Sequence, residues 1–370
     1  MSARFLTVVL ERAFNMRDGF GREIDYMRIS VIDSCNLNCY YCNPCDNNEH
    51  CHALNILSVK EVLCIVRAAT RLGIKHFRLT GGEPLLHPQL DEMVLQIKKI
   101  PGVSSVSLTT NAVLLAQHAK WLKEAGIDSI NVSLDTIDAS EYERITKKPL
   151  LEEVKHGINA AIECGIRVKI NVVLTPQTDV VALTRYVAKK GTDIRFIEMM
   201  PVGEGHTNGV EPYKKVIGTL SKLYGEPCRI NTEKTKEINS GNDKRKIPDN
   251  GPAEYYIFPE LGIRVGLIQA IHGKFCDTCN RIRVTADGRL MPCLGSSVTM
   301  DLVPDSWDFA DDVEKDFVIV RALRAAIKAK PRCHNFNDNA VTYTKTTETK
   351  TTEIEAAEVN AARNMSRIGG

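Results

Sequence analysis

The sequence lacks a surplus of charge of either sign: 48 Lys and Arg stand against 46 Asp and Glu, a formal net charge of +2 over 370 residues. A general nucleic-acid surface is therefore not expected, and any affinity for anions must come from where the cations sit. There is no apolar run long enough to cross a bilayer, and the stretch from Ser2 to Phe14 has too short an apolar core and no small-residue cleavage site for a secretory signal. These absences point to a cytoplasmic protein without a membrane partner. In a reducing compartment the twelve cysteines do not read as disulfides, because six of them fall into two triplets with metal-binding spacing.

The first triplet is Cys35, Cys39 and Cys42, spaced C-x3-C-x2-C directly after an apolar strand. Iron-sulfur clusters are normally held by four thiolates, so a loop offering three leaves one iron open to a ligand from outside the protein. The bland alternative is a zinc knuckle or ferredoxin-like site completed by Cys45. Against it stand Tyr41, just before the third cysteine, and Thr80-Gly81-Gly82-Glu83-Pro84 at the end of the next strand. That pairing resembles radical S-adenosylmethionine (SAM) enzymes.

The chain is long enough for one large α/β domain and a smaller one. Strand-like runs at Ile24 to Val31, Ile74 to Thr80, Val103 to Thr109, Ile127 to Leu134, Ile166 to Leu174 and Asp193 to Met199 alternate with amphipathic helical segments, giving six β-α units. Alternation of this kind argues a parallel sheet curled into a partial (β/α)6 TIM-like barrel, with functional loops at the carboxyl ends of the strands. Polar residues recur two apart within these strands: Arg28 and Ser30, Arg78 and Thr80, Ser107 and Thr109, Asn131 and Ser133, Lys169 and Asn171. A spacing of two places each pair on one face, and polar inner faces on five strands predict a ligand cavity in place of a packed barrel core. The alternative, that they point outward, would bury unpaired cations under the helices.

Beyond residue 202 the chain is loop-rich, with a helix around Tyr213 to Leu223 and a charged run, Glu233 to Lys246, that reads as a solvated loop. Four short strands, including Arg281 to Thr285 and Arg289 to Met291, then suggest a small antiparallel module with a hairpin turn at Asp287-Gly288. Cys276, Cys279 and Cys293 form a second triplet, C-x2-C-x13-C, again without an obvious fourth ligand. A zinc ribbon would want a second close pair, and Cys333 is distant in sequence. The functional reading is an auxiliary 4Fe-4S cluster with a free iron facing the cavity. Arg281 and Arg283 project to one side of the adjoining strand, and with Arg28, Arg78 and Lys169 they bring five cations to one place, Arg195 being a candidate sixth. Such a set calls for an anion, and a polyphosphate fits best, because guanidinium forks match phosphate oxygens.

Over nearly its whole length the sequence closely resembles the GTP 3′,8-cyclase family of molybdenum cofactor biosynthesis, from Gly21-Arg22 to the closing Gly369-Gly370. The resemblance implies residues 1–202 as a radical SAM partial barrel, 203–341 as an auxiliary-cluster module and 342–370 as a linker and tail. It implies two 4Fe-4S clusters, on Cys35, Cys39 and Cys42 and on Cys276, Cys279 and Cys293, with SAM at Tyr41, Gly82, Ser133 and Met200. GTP would be held by Arg28, Arg78, Thr109, Lys169, Arg281 and Arg283, with Gly369 and Gly370 entering the active site. The implied reaction is reductive cleavage of SAM, hydrogen abstraction from C3′ of GTP and attack on C8, giving (8S)-3′,8-cyclo-7,8-dihydroguanosine 5′-triphosphate. Implied partners are an electron-donor protein and the cyclic pyranopterin monophosphate synthase that takes the product, with a homodimer left open. Ser34 and His87 depart from the family pattern, where many members carry arginine, and Cys45 and Cys51 are additional. The competing readings are a different auxiliary-cluster radical SAM enzyme, acting on a peptide or haem, and an electron carrier or zinc-stabilised scaffold. His76, His87, His118 and His156 read as surface or packing residues.

Overall fold

The computed structural model describes residues 16–42, 55–202, 210–230, 251–296, 299–302, 312–334 and 336. Six strands, β1 (Tyr26–Ser30), β2 (His76–Thr80), β3 (Ser105–Thr110), β4 (Ser129–Ser133), β5 (Val168–Val173) and β6 (Asp193–Ile197), pair in sequence order and run parallel. The helices between them are α1 (Val59–Arg71), α2 (Leu90–Lys98), α3 (Leu115–Glu124), α4 (Ala139–Thr146), α5 (Leu151–Glu163) and α6 (Val180–Lys189). All six β-α units expected from periodicity are present, with ends displaced by a few residues. Local signals start the helices: Ser58 and Glu61 form a reciprocal capping box on α1, and Asp179 caps α6. The outward strand face supplies Met27, Ile29, Phe77 and Phe196, all fully buried, to the layer shared with the helices. Among the described residues no helix is long and apolar enough to cross a membrane.

Helix α4 has no counterpart among the expected elements, although Asp138 caps it and Arg144 pairs with Glu141 one turn earlier. It matters because its last carbonyls, which a helix leaves without internal partners, accept from the cysteine loop: Asn38 N–H donates to Thr146 O at 3.0 Å and Tyr40 N–H to Ile145 O at 3.1 Å. The Arg144 guanidinium also lies over the Tyr40 ring.

The later strands do more than form an antiparallel module. After α7 (Gly218–Tyr224) come β7 (Cys228–Ile230), β8 (Glu254–Ile257) and β9 (Arg264–Ile268), then β10 (Arg281–Val284), β11 (Arg289–Met291) and β12 (Met300–Asp301). The antiparallel pairings are there, β7 with β8, β8 with β9, β10 with β11 and β11 with β12. In addition β9 runs parallel to β6 and β10 parallel to β1, so that both edges of the barrel are extended and one 12-stranded sheet results. Among the described residues β9 and β10 do not pair with each other, and the lumen stays open between them. The last helix, α8 (Asp312–Lys328), packs on α1.

The turn after β2 shows why two glycines stand together. A Cβ on Gly81 would lie 2.2 Å from Ile32 O, and one on Gly82 would lie 2.1 Å from Ser34 O. The chain after β1 crosses directly over this turn, held by Gly82 N–H to Ile32 O and Glu83 N–H to Ser34 O, both 2.8 Å. Gly82→Ala is therefore expected to cost about 3 kcal/mol or to displace the cysteine loop. Thermal unfolding together with the iron content of the reconstituted chain checks this, and a variant that melts and binds iron normally contradicts it.

Candidate active site

One cavity of about 700 Å³ runs through the barrel and carries both cysteine triplets in its wall. That size suits a small-molecule site. The triplets occupy opposite ends. Cys35 follows the carboxyl end of β1, whereas Cys279 precedes β10, whose Arg281 is level with Tyr26 at the amino end of β1. The antiparallel β11 returns Cys293 to that same amino end. With ~3.3 Å per residue along β1, the two centres stand roughly 16 Å or more apart. The sequence reading put functional loops at the carboxyl ends alone; the second triplet lies at the other end because β10 joins the sheet parallel to β1.

Between them the strand register stacks cations. Arg283, Arg28 and Arg78 are direct neighbours on β10, β1 and β2, and Ser107 continues the row on β3. One layer nearer the amino end lie Arg281, Tyr26 and His76, and on the far wall Thr109, Asn131 and Lys169 share a level. All of these side chains line the cavity. Burial pushes Arg283 down to about 10, with the Arg281 charge adding to it, and burial also holds Arg28 well below its ordinary value, with Arg283 and Arg78 adding to it. The three guanidinium groups thus repel one another, and the field at this level of the cavity favours a negatively charged group. Among the described residues Arg195 Nη2, Arg281 Nε and Thr109 Oγ1 are buried without a hydrogen-bond partner, and each faces this cavity. Arg195 reaches it because Gly266 lies level with it on β9, where a Cβ would come within 2.8 Å of Arg195 Cγ.

The positions expected for SAM, Tyr41, Gly82, Ser133 and Met200, line the carboxyl end of the same cavity. Tyr41 donates its hydroxyl to Asp135, which also accepts from Val173 N–H at 2.7 Å. Burial raises Asp135 to about 6 against the pull of these donors. The three thiols of the first triplet fit a cluster in their chemistry. Cys35 is pushed up to about 11 by burial, and Cys39 is raised by burial and then by Cys42, Asp135 and Cys35, so these two thiols call for a cationic centre to hold them as thiolates. Among the described residues no three His, Cys, Asp or Glu side chains converge enough to share a single metal ion. Thiolates that bind separate corner irons of a cubane need not converge. At the second triplet burial works to raise Cys279, yet Arg281 and Lys330 outweigh it and bring the thiol to about 7, which suits an iron ligand.

Several contributors were given no role of their own in the sequence analysis. Glu83 accepts from Thr110 Oγ1 and Asn111 N–H, both at 2.7 Å, while Asn111 Nδ2 donates to Asn36 at 2.7 Å and lies 3.8 Å from Cys35 Sγ. Glu198 holds the loop leading to Cys276 through Ile271 N–H, His272 N–H and the His272 ring. Buried Arg22 donates to Cys276 O at 2.7 Å, Pro331 O at 2.6 Å and Arg332 O at 2.9 Å. Such partners lie far apart in sequence and leave no periodic signal. His76, read as a packing residue, lines the cavity with Nδ1 at 2.8 Å from Ser105 Oγ. His87 is a packing residue, its Nε2 bonded to Leu57 O and its Nδ1 to Gln89 N–H. Cys45, Cys51, Gly369, Gly370, the charged run at 233–246 and the linker from 342 lie outside the described residues.

Comparison with known proteins decides the family. Residues 29–182 match the model of the radical SAM superfamily and residues 192–336 that of Molybdenum Cofactor Synthesis C. A "GTP 3',8-cyclase" of Clostridium perfringens (strain SM101 / Type A) is 36% identical over 87% of this chain and 95% of its own length. One from Peptoclostridium acidaminophilum is 37% identical over 87% and 94%. The chain belongs to the GTP 3′,8-cyclase family. Among solved structures, Streptococcus suis SuiB bound to S-adenosylmethionine shares the fold at a TM-score of 0.55 and 14% identity, over 80% of this chain and 68% of that one. Members of this family use SAM and a 4Fe-4S cluster, and a second 4Fe-4S cluster is typical of them.

The Glu83 network is open to a pH test. Burial raises this carboxyl from an ordinary 4.5 to about 7, against three hydrogen-bond donors that pull it down. The folded chain therefore holds the proton more tightly than the unfolded one. The group costs no stability below about pH 4.5, and its penalty grows as the pH rises to about 7, reaching about 3 kcal/mol and then staying constant. Denaturant unfolding of the iron-free chain should lose this much between those limits, and Glu83→Gln should flatten the slope. An equal slope in both proteins would refute the assignment.

Proposed function

We propose that this cavity performs the GTP 3′,8-cyclase reaction, with GTP lying between the two triplets. What carries the reading is the row Arg283, Arg28 and Arg78 at one level on three adjacent strands, between two three-thiol sites in the wall of one cavity. In this reading residues 1–202 hold SAM and residues 203–341 complete the nucleotide site. Cys35, Cys39 and Cys42 would hold one cluster and Cys276, Cys279 and Cys293 the other, each with one iron free of protein. When bound, the first cluster and SAM supply one-electron reduction and a hydrogen-abstracting radical.

The chain's own part is position and exclusion of water. Tyr41, Gly82, Ser133 and Met200 would fix SAM at the carboxyl end. The arginine row and Lys169 would take the triphosphate, Arg281 Nε and Arg195 Nη2 offering donors that the fold leaves unused. Thr109 Oγ1 offers a further polar contact from the opposite wall. Guanine would then reach the open iron at the amino end. Gly369 and Gly370 are proposed to enter the site. A cytosolic setting, an electron-donor protein and hand-over of the product to the pyranopterin synthase complete the proposal.

The test is anaerobic reconstitution with iron and sulfide, then incubation with SAM, a strong reductant and a panel of nucleotides. Cyclised product and 5′-deoxyadenosine are expected with GTP, and a chain without Gly369 and Gly370 is expected to be slower. Equal turnover with every nucleotide, or none with GTP, overturns the reading. Arg283→Ala should weaken GTP binding by about 10- to 100-fold, the worth of a charge-assisted hydrogen bond, while SAM binding persists. Calorimetry with each ligand separately checks it, and normal binding of both places the phosphates elsewhere.

A further inference from the structure

Lys330 lies just past the end of α8 and is only 2% exposed, yet no periodicity marks it and the reaction as proposed does not use it. Its Nζ donates to Arg281 O at 2.8 Å and to Pro292 O at 2.9 Å. Those two carbonyls flank the auxiliary triplet on its two separate chain segments. Arg281 is two residues beyond Cys279, and Pro292 immediately precedes Cys293. The same stretch is gripped from the other side, where Arg22 joins Cys276 O to the carbonyls of Pro331 and Arg332. Residues 330–332 thus connect all three cysteines of the triplet through two buried cations.

We propose that Lys330 is a positioning residue for the auxiliary cluster: its ammonium sets the spacing between the Cys276-Cys279 turn and Cys293, and lays a positive charge beside the cluster at the cavity wall. The inference rests on the reading that this triplet holds an iron-sulfur cluster. Its physics is that of outer-shell control. Groups that hold the ligands fix metal retention, and a nearby cation stabilises the more negative, reduced form and so raises the potential.

The experiment uses the full-length chain with Cys35, Cys39 and Cys42 changed to serine, so that only the second cluster is loaded, in three forms: Lys330, Lys330→Met and Lys330→Arg. Iron release to a chelator, an EPR-monitored redox titration and unfolding of the iron-free protein are recorded for each. Lys330→Met should release iron about tenfold faster, and its reduction equilibrium should shift about tenfold toward the oxidised form, 59 mV for one electron. Lys330→Arg should recover most of the potential. Loss of the cluster from Lys330→Met with intact iron-free stability supports the same conclusion, whether or not Lys330→Arg retains it. Native retention and potential in Lys330→Met overturn the inference, as does an iron-free form already unfolded, which would make the role structural only. Failure of the Lys330 form itself to load iron would instead count against the cluster assignment, so the two failures are separable.

Discussion

Like charge held in register is the constraint to which the rest of this fold answers. Adjacent strands lie about 4.8 Å apart, and Arg283, Arg28 and Arg78 occupy the same level on three of them. Guanidinium groups set this close inside a cavity, Arg283 buried and Arg28 and Arg78 half-buried, are screened by water less than they would be at the surface. The lumen around them is accordingly polar, with Tyr26 accepting from Arg78 at 2.5 Å and Asn171 accepting from Arg195 at 2.9 Å. Binding energy for an anion is stored in this arrangement, since the donors are oriented before any ligand arrives.

The two ends of the lumen are built by different means. At the carboxyl end the cysteine loop is held by local backbone, the Gly81-Gly82 turn beneath it and the last carbonyls of α4 beside it, with the Glu83-Asn111-Asn36 side chains behind it. At the amino end the second triplet depends on side-chain cations: Arg22 reaches Cys276 O across 254 residues, and Lys330 reaches Arg281 O and Pro292 O across 49 and 38. The difference follows from topology. The first triplet sits in a loop between consecutive elements, whereas the second joins a turn before β10 to the end of β11 and needs cross-links to become one site.

The departures from the family pattern fall outside this machinery. His87 satisfies both ring nitrogens within the short turn after Gly-Gly-Glu-Pro, and Ser34 takes part through its backbone carbonyl. Neither side chain lines the cavity.

The sequence by itself determined the six β-α units, because apolar periodicity and helix caps are local. It also determined which strand faces are polar, because side chains alternate with a fixed period of two. Every residue put forward for cluster, SAM or GTP within the described residues lines the cavity, those on strands through this alternation and the others through loops at the strand ends. Only the tertiary structure decided that β9 and β10 extend the barrel's two edges, that the triplets face each other from opposite ends, and that Arg283 stands beside Arg28. Strand pairing across some 250 residues is chosen by the whole sheet, so periodicity can name which residues share a face but not which strand will be their neighbour. The same holds for Arg22, Glu198 and Lys330, whose partners are backbone carbonyls and amides that no side-chain pattern announces.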